Sequence, residues 1–143
     1  MLTRIRRIYK VMDMTVKERF LKYVKYETTS DENSGTCPST AGQKVLLNEL
    51  KNELQTMGIA AKIDDYGYVT AVIPATKSGL KRICFISHVD TSPAVSGRNV
   101  NPQFVNYNGG DIILKNGIKI SLEENPYMRK YMGKELIVTD GET

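Results

Sequence analysis

The sequence predicts an α/β fold, and three observations carry that prediction. One segment, Ala41 to Met57, sets an apolar stripe at helical spacing behind a capping signal. Another, Arg82 to Ser87, is short and apolar for most of its length rather than alternating, the pattern of a strand covered on both faces in an α/β sheet. Stretches rich in Ser, Thr, Asn, Asp, Gly and Pro separate these segments, so helices and strands are strung along one chain with turns between them.

The elements follow in order. Thr15 and Glu18 form a T-x-x-E capping box, in which the hydroxyl accepts from a free helical amide while the carboxylate reaches back to the cap. Val16, Phe20, Leu21 and Val24 then recur at helical spacing, predicting a first helix from Thr15 to Glu27. Thr28 to Ser39 is a loop by composition. A second box, Thr40-Ala41-Gly42-Gln43, opens a helix whose stripe is Val45, Leu46, Leu50, Leu54 and Met57, with Gly58 placed to end it in the left-handed conformation. Ala60 to Ile63 and Tyr68 to Ile73 read as a hairpin about a turn at Asp64-Asp65-Tyr66-Gly67. The 82–87 strand comes next and sets His88 at its carboxyl end, where open α/β sheets bind ligands. Thr91 to Gly110 predicts no regular element. A second hairpin joins 111–114 to 118–121 through Asn116-Gly117, and a last strand lies within 134–139. There is no internal repeat.

Composition narrows the class. At 143 residues, 41% hydrophobic and 25% charged, the chain has a globular balance and can bury one core. No run approaches the ~20 apolar residues of a bilayer span, and the start lacks the apolar stretch of a secretory signal, so the sequence reads as cytoplasmic. Cys37 and Cys84 have neither the number nor the spacing of a disulfide framework and read as free thiols. The net charge of +4 is concentrated at the start, where Arg4, Arg6, Arg7 and Lys10 stand against Asp13. The rest is nearly neutral and carries no basic stripe with interleaved aromatics, so neither nucleic acid nor a membrane is an expected partner.

The chemistry-bearing motif is Phe85-Ile86-Ser87-His88-Val89-Asp90-Thr91, which contains the only histidine in the sequence. Residues two apart in extended backbone point the same way, so His88 and Asp90 project from one side. Imidazole is a common transition-metal ligand and usually needs a carboxylate to fix its tautomer, and H-x-D supplies both. The pair by itself also fits a histidine that merely packs or hydrogen-bonds.

Beyond that pair, ERFLKYVKYET, CPSTAGQ, DDYGYVTAVIPA, FISHVDTSP, SGRNVNPQ, NYNGGDI and LIVTDGET occur in an order and spacing that resemble peptidase T, from about Glu18 to Thr143. The resemblance implies a partial three-layer α/β/α catalytic domain of a di-zinc exopeptidase over residues 14–143, preceded by a disordered extension over 1–13. It implies tripeptide substrates, release of their amino-terminal residue, and two zinc ions per complete site. His88 would bind one zinc and Asp90 would orient it as a catalytic residue. The family's bridging aspartate in a motif like GADDKAG, its paired glutamates, a further carboxylate and a late histidine have no counterpart in this sequence. With one ligand where catalytic zinc sites use about three protein ligands, the chain alone is expected to hold zinc poorly and to be inactive.

Arg98, Asn99 and Asn101 follow closely enough to form a substrate-side loop, although Asn is also what an irregular loop requires. Asp64-Asp65 reads as turn chemistry and Glu123-Glu124 as solvated surface. Two other functions remain open at this stage: a non-catalytic association domain, with self-association through the strand edge at 136–139, and a small basic binder of nucleic acid or membrane working through its first residues.

Overall fold

The computed structural model describes residues 14–143 and divides into two compact units, one ending at Pro93 and one spanning Ala94–Thr143. The extension expected over 1–13 lies outside the described residues. The class is mixed α/β, with helices and small antiparallel sheets, consistent with a partial α/β domain.

In the first unit, helix α1 spans Val16–Tyr23. Its capping box forms as expected: the Glu18 amide donates to Thr15 Oγ1 at 3.2 Å, and the Thr15 amide donates back to the Glu18 carboxylate. The helix stops before the predicted Glu27, because the Lys25 and Tyr26 amides close on carbonyls three residues back instead of four. Helix α2 spans Ala41–Thr56 and is followed by Gly58 at φ 77°. Two details correct the sequence expectation. Val45 is 56% exposed, whereas Leu46 and Leu47 are buried, so the inward face is rotated by about one residue from the predicted stripe. The second capping box does not form, since Thr40 makes no cap hydrogen bond and both Thr40 and Gln43 turn to the preceding loop.

Strands β1 (Ala61–Ile63) and β2 (Val69–Ala71) make the predicted hairpin in shorter form, with Lys62 opposite Thr70, and pack on α2. Its turn is built by Asp64, whose Oδ1 accepts from the amides of Tyr66 and Tyr68 at 3.1 and 2.9 Å. Gly67 has φ 86° there, and a Cβ on it would lie 2.6 Å from Pro38 Cγ. Helices α1 and α2 are tied by charge: Arg19 and Lys22 pair with Glu53 and Glu49, and Tyr23 donates to Glu53 Oε2 at 2.7 Å.

The strand expected at 82–87, covered on both faces, is not formed. Ile83, Phe85 and Ile86 are 81%, 94% and 92% exposed, and among the described residues no backbone hydrogen bond joins this stretch to another strand. An apolar run signals what a segment needs to bury, but burial takes neighbours, and none of the described elements lies against it.

The second unit is better packed. Strand β3 (Gln103–Tyr107) pairs antiparallel with β6 (Lys134–Val138), and β4 (Ile112–Ile113) pairs with β5 (Lys119–Ile120); a 3-10 helix spans Pro126–Tyr131. Strand β3 falls inside the stretch predicted to hold no regular element. Its Asn106 and the flanking Asn101 and Asn108 hid it, and a partner far along the chain supplies the ladder that local propensity does not. Tyr107, Ile112, Leu114 and Met128 form the core, and the Tyr107 hydroxyl is satisfied by the Gly110 carbonyl at 2.9 Å.

Candidate functional site

His88 and Asp90 come together as the sequence predicts. Nδ1 of His88 lies 3.1 Å from Oδ1 of Asp90, with side chains 83% and 50% exposed. When the neutral ring donates from Nδ1 to the carboxylate, Nε2 keeps its lone pair, which is the form a metal ion requires. The pair is one imidazole with its tautomer supported by a carboxylate. Among the described residues no three His, Cys, Asp or Glu side chains gather closely enough to hold an ion, so these residues do not fit a complete metal site.

The remaining expected site residues fall in the second unit. Asn99 sits at φ 56°, a left-handed conformation that Asn tolerates better than most residues, so the backbone gives it a sufficient reason to be Asn. Asn101 donates its side chain toward Asp140. Asp140 is buried, and its Oδ1 accepts from the amide of Glu142 at 3.0 Å. That backbone bond, first among its partners, holds the Asp140 carboxyl below the usual carboxylate range against the opposing effect of burial. Arg98 is exposed, and its amide donates to Ser96 Oγ at 3.1 Å. Asp64 serves its turn, and Glu123 and Glu124 are exposed.

No family model matches the chain. Individual curated proteins do. Peptidase T of Caldanaerobacter subterraneus is 51% identical over 133 residues, covering 90% of this chain and 32% of that protein. Peptidase T of Clostridium acetobutylicum is 53% identical over 133 residues, 90% of this chain and 33% of its own length. Peptidase T of Bacillus velezensis is 44% identical over 137 residues, 92% and 33%. Over about nine-tenths of its length the chain is homologous to peptidase T. It spans about a third of the length of the curated peptidase T relatives it matches.

In this peptidase T homologue, the residues that hold the His88 segment in place were not singled out by sequence. Thr91 forms a parallel bridge with Thr29: its amide donates to the Thr28 carbonyl at 3.1 Å, and its carbonyl accepts from the Ser30 amide at 3.0 Å. The loop is held in turn by Gln43, 3% exposed, whose Nε2 donates to the Thr28 carbonyl at 3.2 Å and to Ser39 Oγ at 3.1 Å. Thr40 Oγ1 adds a bond to the Thr29 carbonyl at 3.0 Å. The helix start thus fixes the chain one residue after Asp90. The signal was present in T-A-G-Q, but a capping box and a loop anchor use the same residue types.

Proposed function

We propose that this chain is part of a zinc-dependent tripeptide aminopeptidase, with His88 as a ligand to one of two zinc ions and Asp90 as the carboxylate that orients it. The observation that carries the reading is identity of 44–53% to peptidase T across about nine-tenths of the chain. The His88–Asp90 pairing supports it, since the bond at Nδ1 selects the tautomer a ligand needs. Zinc, if held by His88 together with ligands from outside this sequence, would supply Lewis-acid polarisation of a carbonyl and a more acidic water. This chain's own residues supply orientation: Asp90 holds the ring, and the bridge at Thr91 holds Asp90's neighbour. The other ligands and the general base would come from the part of a peptidase T chain that this sequence does not span. Residues 14–143 are then one portion of the catalytic domain, and Arg98, Asn99 and Asn101 a substrate-side loop.

A cytoplasmic setting belongs to the same reading. No helix among the described residues is long and apolar enough to cross a membrane, and both cysteines are free and exposed, which suits a reducing compartment. The function is tested by a chimera in which this sequence replaces the matching third of the Caldanaerobacter peptidase T. The chimera should release the amino-terminal residue of a tripeptide. His88→Ala should lower kcat/KM by about a hundredfold or more, and Asp90→Asn by about 10- to 100-fold. A folded chimera whose activity His88→Ala leaves unchanged would refute the assignment.

A further inference from the structure

The ladder between β3 and β6 ends at the pair Gln103 and Val138, beside Pro102, which has no amide to donate. Carried two residues further, the same register sets Asn101 opposite Asp140, on the face that holds Val105, Leu136 and Val138 against the core. There the side chains continue what the backbone has stopped doing, and Asn101 donates to the Asp140 carboxylate. The Gln103 side chain secures the same point, its Nε2 donating to the Asn101 carbonyl at 3.0 Å.

A carboxylate at the end of an apolar row costs free energy to bury, and Asp140 is 8% exposed. Its own turn accounts for part of its bonding, since Oδ1 accepts from the amides of Glu142 and Thr143 at 3.0 and 3.4 Å. A turn by itself does not require burial: Asp64 and Asn116 build theirs from exposed positions. What distinguishes Asp140 is the bond to Asn101, which comes from another segment of the chain. Asn101 closes a stretch in which the Arg98 amide donates to Ser96 Oγ at 3.1 Å and Asn99 holds φ 56°. That stretch has a shape of its own, and the clasp fixes where the shape is attached.

We propose that Asp140 is a positioning residue for the substrate-side loop of Arg98, Asn99 and Asn101, which it holds to the end of β6 through Asn101. The proposal rests on the tripeptidase reading for what the loop meets, a peptide substrate, and on geometry alone for the clasp. Asp140 acts through Asn101 and touches no substrate itself. A loop that meets substrate equally before and during the reaction contributes to KM and little to kcat, so displacing it is read in KM.

Two variants test the clasp. Asn101→Asp removes the donor and sets one carboxylate against another, leaving the turn bonds of Asp140 in place. Adding Asp140→Asn reverses the pair, so that position 140 donates and position 101 accepts. In the 143-residue chain, the amide resonances of Arg98 and Asn99 should shift in the single variant and return toward the parent in the double one. Asn101→Ala removes the donor without adding charge and should move the same resonances, which keeps the test open if the paired carboxylates unfold the chain. In the Caldanaerobacter chimera, Asn101→Asp should raise KM for a tripeptide about tenfold with kcat within about twofold, and the double variant should recover most of the loss. Resonances or a KM that the first substitution never moves, or that the second leaves uncorrected, overturn the proposal: residue 101 then acts on its own and Asp140 serves only its turn. A folded parent chimera without turnover overturns the tripeptidase reading and the substrate part of the proposal with it, while the resonances still decide the clasp.

Discussion

His88 and Asp90 were legible because their relation is local: extended backbone brings residues two apart to one side, and no distant element is needed. The account predicts that nitrogen NMR of the single imidazole will show the Nδ1–H tautomer dominant in the neutral ring, and that Asp90→Asn will shift it toward Nε2–H. An unchanged ratio would remove Asp90 from its orienting role. Gly42 is a second residue whose identity has a local cause. A Cβ there would lie 1.7 Å from the Glu27 carbonyl oxygen, which is backbone and cannot swing aside. Gly42→Ala should cost about 2 kcal/mol or more in urea unfolding, although alanine is the better helix former. Glu53 sets a pH dependence. Burial raises its carboxyl, but bonds from Arg19 and Tyr23 and the charges of Arg19 and Lys22 outweigh this, and the net position is below the ordinary 4.5. A carboxyl lowered by folding contributes stability above its ordinary value and loses it as pH falls through the folded one. Glu53→Gln should therefore be less stable than the parent at neutral pH, with the gap closing in acid.

At the scale of elements, what succeeded and what failed divides by the distance of the partner. The box at Thr15 formed because Glu18 is its partner and lies within the same turn. The box at Thr40 failed because the Gln43 side chain, which would have had to accept from the Thr40 amide, turns to the loop and donates to the carbonyls of Thr28 and Thr29. Strand β3 was missed because its pairing with β6 depends on residues about thirty positions away, while its own Asn106 argued for a loop. The hairpin of β4 and β5 was found because Asn116-Gly117 carries its own turn geometry, Asn116 Oδ1 accepting from the Ile118 amide at 3.0 Å. The loop anchored by α2 is the element that positions His88, so Gln43→Ala should destabilise the chain by about 1–3 kcal/mol by removing the buried hydrogen bonds from Gln43 to the Thr28 carbonyl and the Ser39 hydroxyl. Hydrogen exchange at the Thr91 amide should accelerate with it. Exchange at Thr91 that matches the parent would separate the anchor from the site.

For the whole molecule, the α/β class was readable, but the cover of its most apolar run was not, because cover is a property of neighbours. The first unit buries only Leu46 and Leu47 among its described apolar residues, while Phe85 and Ile86 stand in water. The same division holds for chemistry. The imidazole and its carboxylate are local and present, whereas a coordination shell is assembled from distant parts of a chain, and no three candidate ligands converge among the described residues. On the proposed function, this chain contributes one ligand to a site that other residues complete. The most direct test of that contribution is the zinc-loaded 143-residue chain in a tripeptide hydrolysis assay beside its His88→Ala variant. The account predicts no release of the amino-terminal residue by either; turnover by the parent that the variant loses would contradict it.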